Sequence, residues 1–161
     1  MLVRSLSSEV HRLAHELHPA KLDQLGLPAA LRGFCKELAA AHEIAIEFEP
    51  RDVPQRLPKD VALCLYRIAQ EALQNVVKHS GASGAKVALA AHGQELHLTV
   101  ADDGSGFNAG AVQPGSSLGI VSMRERVRMV QGHLSIQSHP GQGTRIEVRV
   151  PIVAPAGDSK S

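Results

Sequence analysis

The chain has 161 residues, 43% hydrophobic and 20% charged, the composition of one folded domain with a short appendage and not of a disordered chain. Aromatic residues make up only 2%, with no Trp, so the core must be built from Leu, Val, Ile and Ala, and base-stacking platforms for single-stranded nucleic acid have few side chains to draw on. The formal net charge of +1 gives no global electrostatic case for nucleic acid or an anionic membrane surface, and no nucleic-acid partner is expected. No apolar run approaches the ~20 residues needed to span a bilayer, and the N-terminal segment is interrupted by charge every few residues, unlike a secretory signal. Cys35 and Cys64 form no CxxC pattern and are expected as buried, reduced thiols of a cytoplasmic protein.

In chain order, Val3, Leu6, Val10, Leu13 and Leu17 follow the heptad seam of a helical bundle, which Pro19 ends. The stretch LDQLGLPAAL is read as a connector, with Gly26 permitting a turn and Pro28 in the first turn of a helix running to about His42. In IAIEFEP, Ile44, Ile46 and Phe48 alternate with Ala45, Glu47 and Glu49, a strand with one buried face. RDVPQRLP is loop. From Lys59 to about His79 the spacing of Val61, Leu65, Ile68, Ala72 and Val76 predicts one long amphipathic helix. Strands at about Ala85–Ala91 and Glu95–Ala101 flank His92-Gly93-Gln94 as a hairpin. DDGSGF is a glycine-rich turn, and the following NAGAVQPGSS is expected to be a mobile loop. A helix over about Gly119–Val130, strands HLSIQS and TRIEVRVPI around a PGQG turn, and a disordered polar tail complete the chain. This order predicts an α/β two-layer sandwich: a mixed, mostly antiparallel sheet of about five strands, covered on one face by three helices, plus an N-terminal helix from a dimerisation bundle.

Four segments carry chemistry. Glu71, Asn75 and Lys78 share one face of the long helix, with His79 following. Oxygen ligands beside a cationic point charge suit a hydrated Mg²⁺ and phosphate, although an ordinary solvated helix face would show the same residues. Asp102 stands where a strand runs into Gly104 and Gly106; such a carboxylate can accept from an exocyclic amine, and the glycines let backbone approach a flat ring. Ser116-Ser117-Leu118-Gly119 opens a helix whose free N–H groups could face phosphate or simply be capped by serine. Gly141-Gln142-Gly143-Thr144 precedes the last strand and alone would be a hairpin turn.

Taken in order, RIAQEALQNVVKHSGA, DDGSGF, LGIVSMRERV and GQGTRIEVRVP resemble the four nucleotide-binding boxes of the catalytic domain of sensor histidine kinases, the superfamily shared with DNA gyrase B, MutL and heat-shock chaperone ATPases. EALQNVVKHSGA and MRERV are similar to the nitrate-sensor-type subfamily, whose partners are LuxR-type response regulators. ELHPAKLDQLGLPAAL resembles the end of that subfamily's dimerisation domain. The resemblance implies ATP and Mg²⁺ as ligands and division into 1–27 (dimerisation helix end and connector), 28–153 (ATP-binding domain) and 154–161 (tail). It implies that Asp102 bonds the adenine amine over a floor shaped by Gly104 and Gly106, that Asn75 ligates Mg²⁺, and that Glu71 polarises a metal water or activates the attacking group. Lys78 and His79 would contact phosphates, Gly119 would let the lid end, and Thr144 would close the adenine side directly or through water. Ser117 departs from the family pattern at the lid.

A second departure concerns the phosphoacceptor. The family motif has an acidic residue after the acceptor His, whereas His18 is followed by Pro19. His11, His15 and His18 are therefore expected as surface histidines on the second dimerisation helix, and HELH is not a zinc motif. The implied function is donation of the ATP γ-phosphoryl group to a His on a separate dimerisation helix, then to a response-regulator Asp. This chain alone is expected as a monomer or weak dimer, cytoplasmic, in a kinase that further segments can anchor in the inner membrane. An anti-sigma-type serine kinase and a non-catalytic nucleotide-binding interaction module are the alternatives.

Overall fold

A computed structural model describes residues 19–108 and 118–152. The expected bundle seam with His11, His15 and His18, the loop from 109 to 117 with Ser116 and Ser117, and the tail beyond Ile152 lie outside the described residues. The elements in order are α1 (Ala20–Leu25), α2 (Leu27–His42), β1 (Ala45–Arg51), α3 (Lys59–Asn75), a π-helical turn (Val76–Ser80), β2 (Gly84–His92), β3 (Glu95–Asp102), α4 (Leu118–Met129), β4 (His133–Ser138) and β5 (Thr144–Pro151). The strands form one five-stranded sheet in the order β1-β2-β3-β5-β4. Only β1 and β2 are parallel, joined by the crossover through α3 that a parallel pair requires.

Period-two patterning decides the layers. Val87 and Leu89 of β2, Leu96, Leu98 and Val100 of β3, and Ile146, Val148 and Val150 of β5 are buried on one face. Register puts them in rows: Leu89 opposite Leu98, Leu98 opposite Val148, and Val100 opposite Ile146. Onto this face pack α2, α3 and α4, with Leu31, Leu65, Ile68, Leu73, Met123 and Val127 buried against the strands. The opposite sheet face is polar, with exposed pairs such as Lys86 Nζ to Glu47 Oε2 at 3.6 Å. The mixed one-face-covered sheet expected from the sequence is therefore present. With so few rings available, one aromatic contact joins α2 to α3: Phe34 and Tyr66 meet edge-on at 6.1 Å.

Two local expectations are corrected. The connector after Pro19 contains the short helix α1, because Leu22 is 5% exposed and anchors it in the core while Lys21 pairs with Glu37 at 2.8 Å. It ends at Gly26, whose φ of 83° is the conformational freedom the turn needs. The long helix is α-helical only to Asn75. Val76 must stay in the core at 4% exposure while the chain turns at left-handed Gly81 into β2, and the wider π turn meets both demands. Cys35 and Cys64 are free and buried as expected, and burial pushes their thiols up to about 11 and about 12. No helix among the described residues is long and apolar enough to cross a membrane.

The two-layer packing predicts where substitutions hurt. Leu65→Ala removes a side chain with 0% exposure between α3 and the sheet and should cost about 2–5 kcal/mol by transfer and cavity terms. Lys86→Ala on the open face breaks an exposed ion pair and should cost under about 1 kcal/mol. Denaturant titration of both variants checks the contrast.

Candidate nucleotide site

The apolar sheet face ends in a polar row. Alternation places Asp102 on the same face as Val100, Thr144 with Ile146, and Ser138 with Ile136; register sets Asp102 opposite Thr144 and Thr144 opposite Ser138. The C-terminal part of α3 crosses above this row, and a cavity of about 530 Å³ opens between them. Val100, Ile136, Ile146, Met123 and Phe107 wall it, and Asp102, Thr144, Glu71, Asn75, Lys78 and His79 supply its polar groups. Glu71, Asn75 and Asp102 are half-buried, whereas Lys78 and His79 are exposed. A second cleft of about 620 Å³ lies between α1, the start of α2 and the loop after β1. It contains none of the residues that the sequence marks as candidates for nucleotide or metal binding.

The two adjacent aspartates have different jobs. Asp102 Oδ1 accepts from the Gly104 N–H at 2.8 Å, and the Thr144 N–H also favours the charged carboxylate. Burial raises its pKa above the usual carboxylate value, against the two N–H groups and with a smaller push from Asp103. Asp103 is exposed and accepts from the Ser83 N–H at 3.0 Å, the Ser83 hydroxyl at 2.7 Å and the Gly84 N–H at 3.2 Å. Chiefly through the Ser83 hydroxyl, its pKa is lowered. Asp103 therefore clasps the start of β2, and Asp102 is the carboxylate turned into the cavity.

The glycines are explained by close approach. Gly106 lines the cavity at φ 63°, and a Cβ there would overlap the His139 and Gly143 carbonyl oxygens. Gly104 is not in the lining and acts through its N–H on Asp102. Gly119, the second residue of α4, lies against Glu71, so that a Cβ would overlap Glu71 Oε1. Its smallness makes room for that carboxylate, a demand that helix patterning does not reveal. Thus Glu71, Asn75, Lys78, His79, Asp102, Gly106, Gly119 and Thr144 come together, with Gly104 immediately behind Asp102.

Sequence reasoning passed over the apolar walls and Ser138. Ser138 is 3% exposed, and its hydroxyl accepts from the Phe107 N–H at 2.8 Å. The signal was present in HLSIQS, where alternation puts Ser138 on the face of Leu134 and Ile136. Register across β5 was needed to show what it meets.

This geometry agrees with comparisons to known proteins. Residues 60–154 match the family described as histidine kinase-, DNA gyrase B- and HSP90-like ATPase. The signal transduction histidine-protein kinase/phosphatase DegS of Brevibacillus brevis is 35% identical over 151 residues, spanning 94% of this chain and 39% of DegS. The chain thus corresponds to less than half of that relative's length. In fold it is similar to the histidine kinase domain of the Erythrobacter litoralis EL346 blue-light activated kinase, with TM-score 0.63, 23% identity, and coverage of 78% of this chain and 65% of that one. It is also similar to full-length ShkA in complex with AMPPNP, with TM-score 0.65, 22% identity, and coverage of 79% and 30%. The family match spans most of the described residues and every strand of the sheet except β1, and on that ground the chain belongs to the histidine kinase-, DNA gyrase B- and HSP90-like ATPase family.

Proposed function

We propose that the cavity binds ATP with Mg²⁺ and that the domain donates the γ-phosphoryl group to a histidine on a dimerisation helix, in a sensor kinase of the nitrate-sensor type. The observation that carries this reading is Asp102: a half-buried carboxylate, oriented by the Gly104 N–H, at the end of an apolar slot. Such a group selects a flat ring with an exocyclic amine and rejects one with a carbonyl there. Val100, Ile136 and Ile146 enclose the ring, and Thr144 closes its edge. Asn75 offers a hard oxygen ligand that suits Mg²⁺ together with phosphate oxygens and water, and the metal would neutralise phosphate charge. Glu71 polarises a bound water or the attacking imidazole. Lys78 and His79, exposed at the cavity, contact the phosphates. The chemistry asked of the chain is positioning and charge neutralisation, with no covalent help.

The DegS likeness extends over 94% of the chain, beyond the ATPase match at 60–154, and so favours a kinase with a dimerisation segment over an anti-sigma-type serine kinase. We divide the chain at 27 and 153 accordingly, assign it to the cytoplasm where ATP is available, and name a LuxR-type response regulator as the downstream partner. Residues 1–27 alone offer about two heptads, too little for a stable coiled coil, so the chain is a monomer or weak dimer.

Three outcomes test the reading. First, because burial raises the Asp102 pKa in the folded chain, the folded state holds that proton more tightly than the unfolded state. Stability without nucleotide therefore falls as pH rises from the ordinary carboxylate pKa through the raised one. Asp102→Asn should melt at or above wild type at neutral pH, yet bind ATP about ten- to hundredfold more weakly in calorimetry. Wild type should reject GTP. Second, Asn75→Ala should abolish the Mg²⁺ dependence of ATP affinity and leave adenosine affinity unchanged, as read by titration with and without the metal. Third, radiolabelled ATP should place acid-labile label on a separately supplied dimerisation domain carrying the acceptor His, and none on this chain alone. Label on the chain alone that disappears in His18→Gln would assign the acceptor to His18 instead.

A further inference from the structure

The π turn over Val76–Ser80 carries Lys78 and His79 to the cavity, in a conformation that helices adopt only locally. Both side chains are exposed, and neither is held by a hydrogen bond or ion pair to another described residue. Their place is therefore set by the backbone that carries them. At the entry of the turn, Val76 is fixed in the core. At its exit, Gly81 is left-handed at φ 61°, and the half-buried Ala82 packs against the core. Ser83 is then tied on two sides. Its carbonyl oxygen accepts from the Ala45 N–H at the start of β1 at 3.3 Å. Its N–H and hydroxyl donate to the Asp103 carboxylate at 3.0 and 2.7 Å.

Asp103 follows Asp102, so one carboxylate reaches from the turn after β3 to the loop that leaves the π turn. Its Oδ1 takes the N–H groups of Ser83 and Gly84, and its Oδ2 takes the Ser83 hydroxyl. The ladder between β2 and β3 sets Ala85 opposite Asp102 but does not include Ser83, which precedes β2. We propose that Asp103 and Ser83 are positioning residues for phosphate binding: their clasp fixes the exit of the π turn and, through it, the reach of Lys78 and His79 toward the ligand. Neither Asp103 nor Ser83 lines the cavity, so both act through the turn. This inference rests on the reading of the cavity as an ATP site with its phosphates at Lys78 and His79, and adds what holds those two side chains in place.

The experiment measures ATP and adenosine affinity by calorimetry for wild type, Ser83→Ala and Ser83→Thr, and repeats the first two in a Lys78→Ala/His79→Ala background. Ser83 is exposed, and its alanine variant keeps both N–H bonds while losing the charge-assisted hydroxyl bond. Ser83→Ala should bind ATP about three- to tenfold more weakly, with adenosine changed by less than about twofold. Ser83→Thr, which keeps a hydroxyl, should bind ATP as wild type does. In the background without the two side chains, Ser83→Ala should change ATP affinity by less than about twofold, because the clasp then has no cation to place. Hydrogen exchange of the Val76–Ser80 amides without nucleotide should quicken in Ser83→Ala, while β3 keeps its protection. Equal weakening of ATP and adenosine, equal weakening in both backgrounds, or unchanged ATP affinity overturns the inference and makes the clasp a fastening of β2 only. Exchange in the π turn that Ser83→Ala leaves untouched overturns it as well. If Lys78→Ala/His79→Ala binds ATP as wild type does, the proposed phosphate contacts fall and this inference with them. ATP affinity that needs those two side chains and ignores Ser83 overturns the inference alone.

Discussion

The register of the three antiparallel strands β3, β5 and β4 is the constraint on which the site depends. It stacks apolar residues in rows across one sheet face and brings Asp102, Thr144 and Ser138 side by side where those rows end. A slip of one residue in β5 would turn Thr144 and the three valine and isoleucine side chains behind it to the solvent face. The register is therefore held by burial of Ile146, Val148 and Val150, all at 6% exposure or less. Hydrophobic packing at one end of the sheet fixes the position of polar chemistry at the other.

Helix α3 joins the two. Its buried side, from Val61 to Leu73, is core, while Glu71 and Asn75 near its end reach the cavity half-buried. Conversion to a π turn after Asn75 lets Val76 remain in the core as Lys78 and His79 emerge exposed at the cavity. Helix α4 comes close to α3 there: Gly119 lies against the end of the Glu71 side chain, where a Cβ would displace the carboxylate from its observed place.

The neighbouring carboxylates Asp102 and Asp103 show how function and folding divide the same short turn. Asp103 is satisfied by Ser83 and Gly84 in water and stabilises the strand start. Asp102 accepts from the Gly104 N–H in a partly desolvated place, and burial works against its charge. A half-buried acceptor with capacity to spare costs stability, and it is the feature on which the proposed adenine contact rests.

Much of this was legible in the sequence because it rests on local rules. Period two in the strands, the 3.6-residue stripe of α3 and the glycine-rich turns predict the mixed sheet with helices on one face, whereas one nucleotide site at Glu71, Asn75, Asp102 and Thr144 is what the resemblance of the four boxes to a known family implies. Helix α1, the π turn, the contact of Gly119 with Glu71 and the hydroxyl pair of Ser138 with Thr144 were not legible. Each depends on partners distant in the chain: Leu22 enters a core built by later helices, and Ser138 meets Phe107 across 31 positions. Sequence by itself determined which residues are apolar, which are flexible and which can carry charge. Tertiary structure alone decided that Asp103 clasps Ser83 and Gly84 and which hydroxyl stands behind Thr144, because strand register and desolvation are properties of the assembled sheet and its helices.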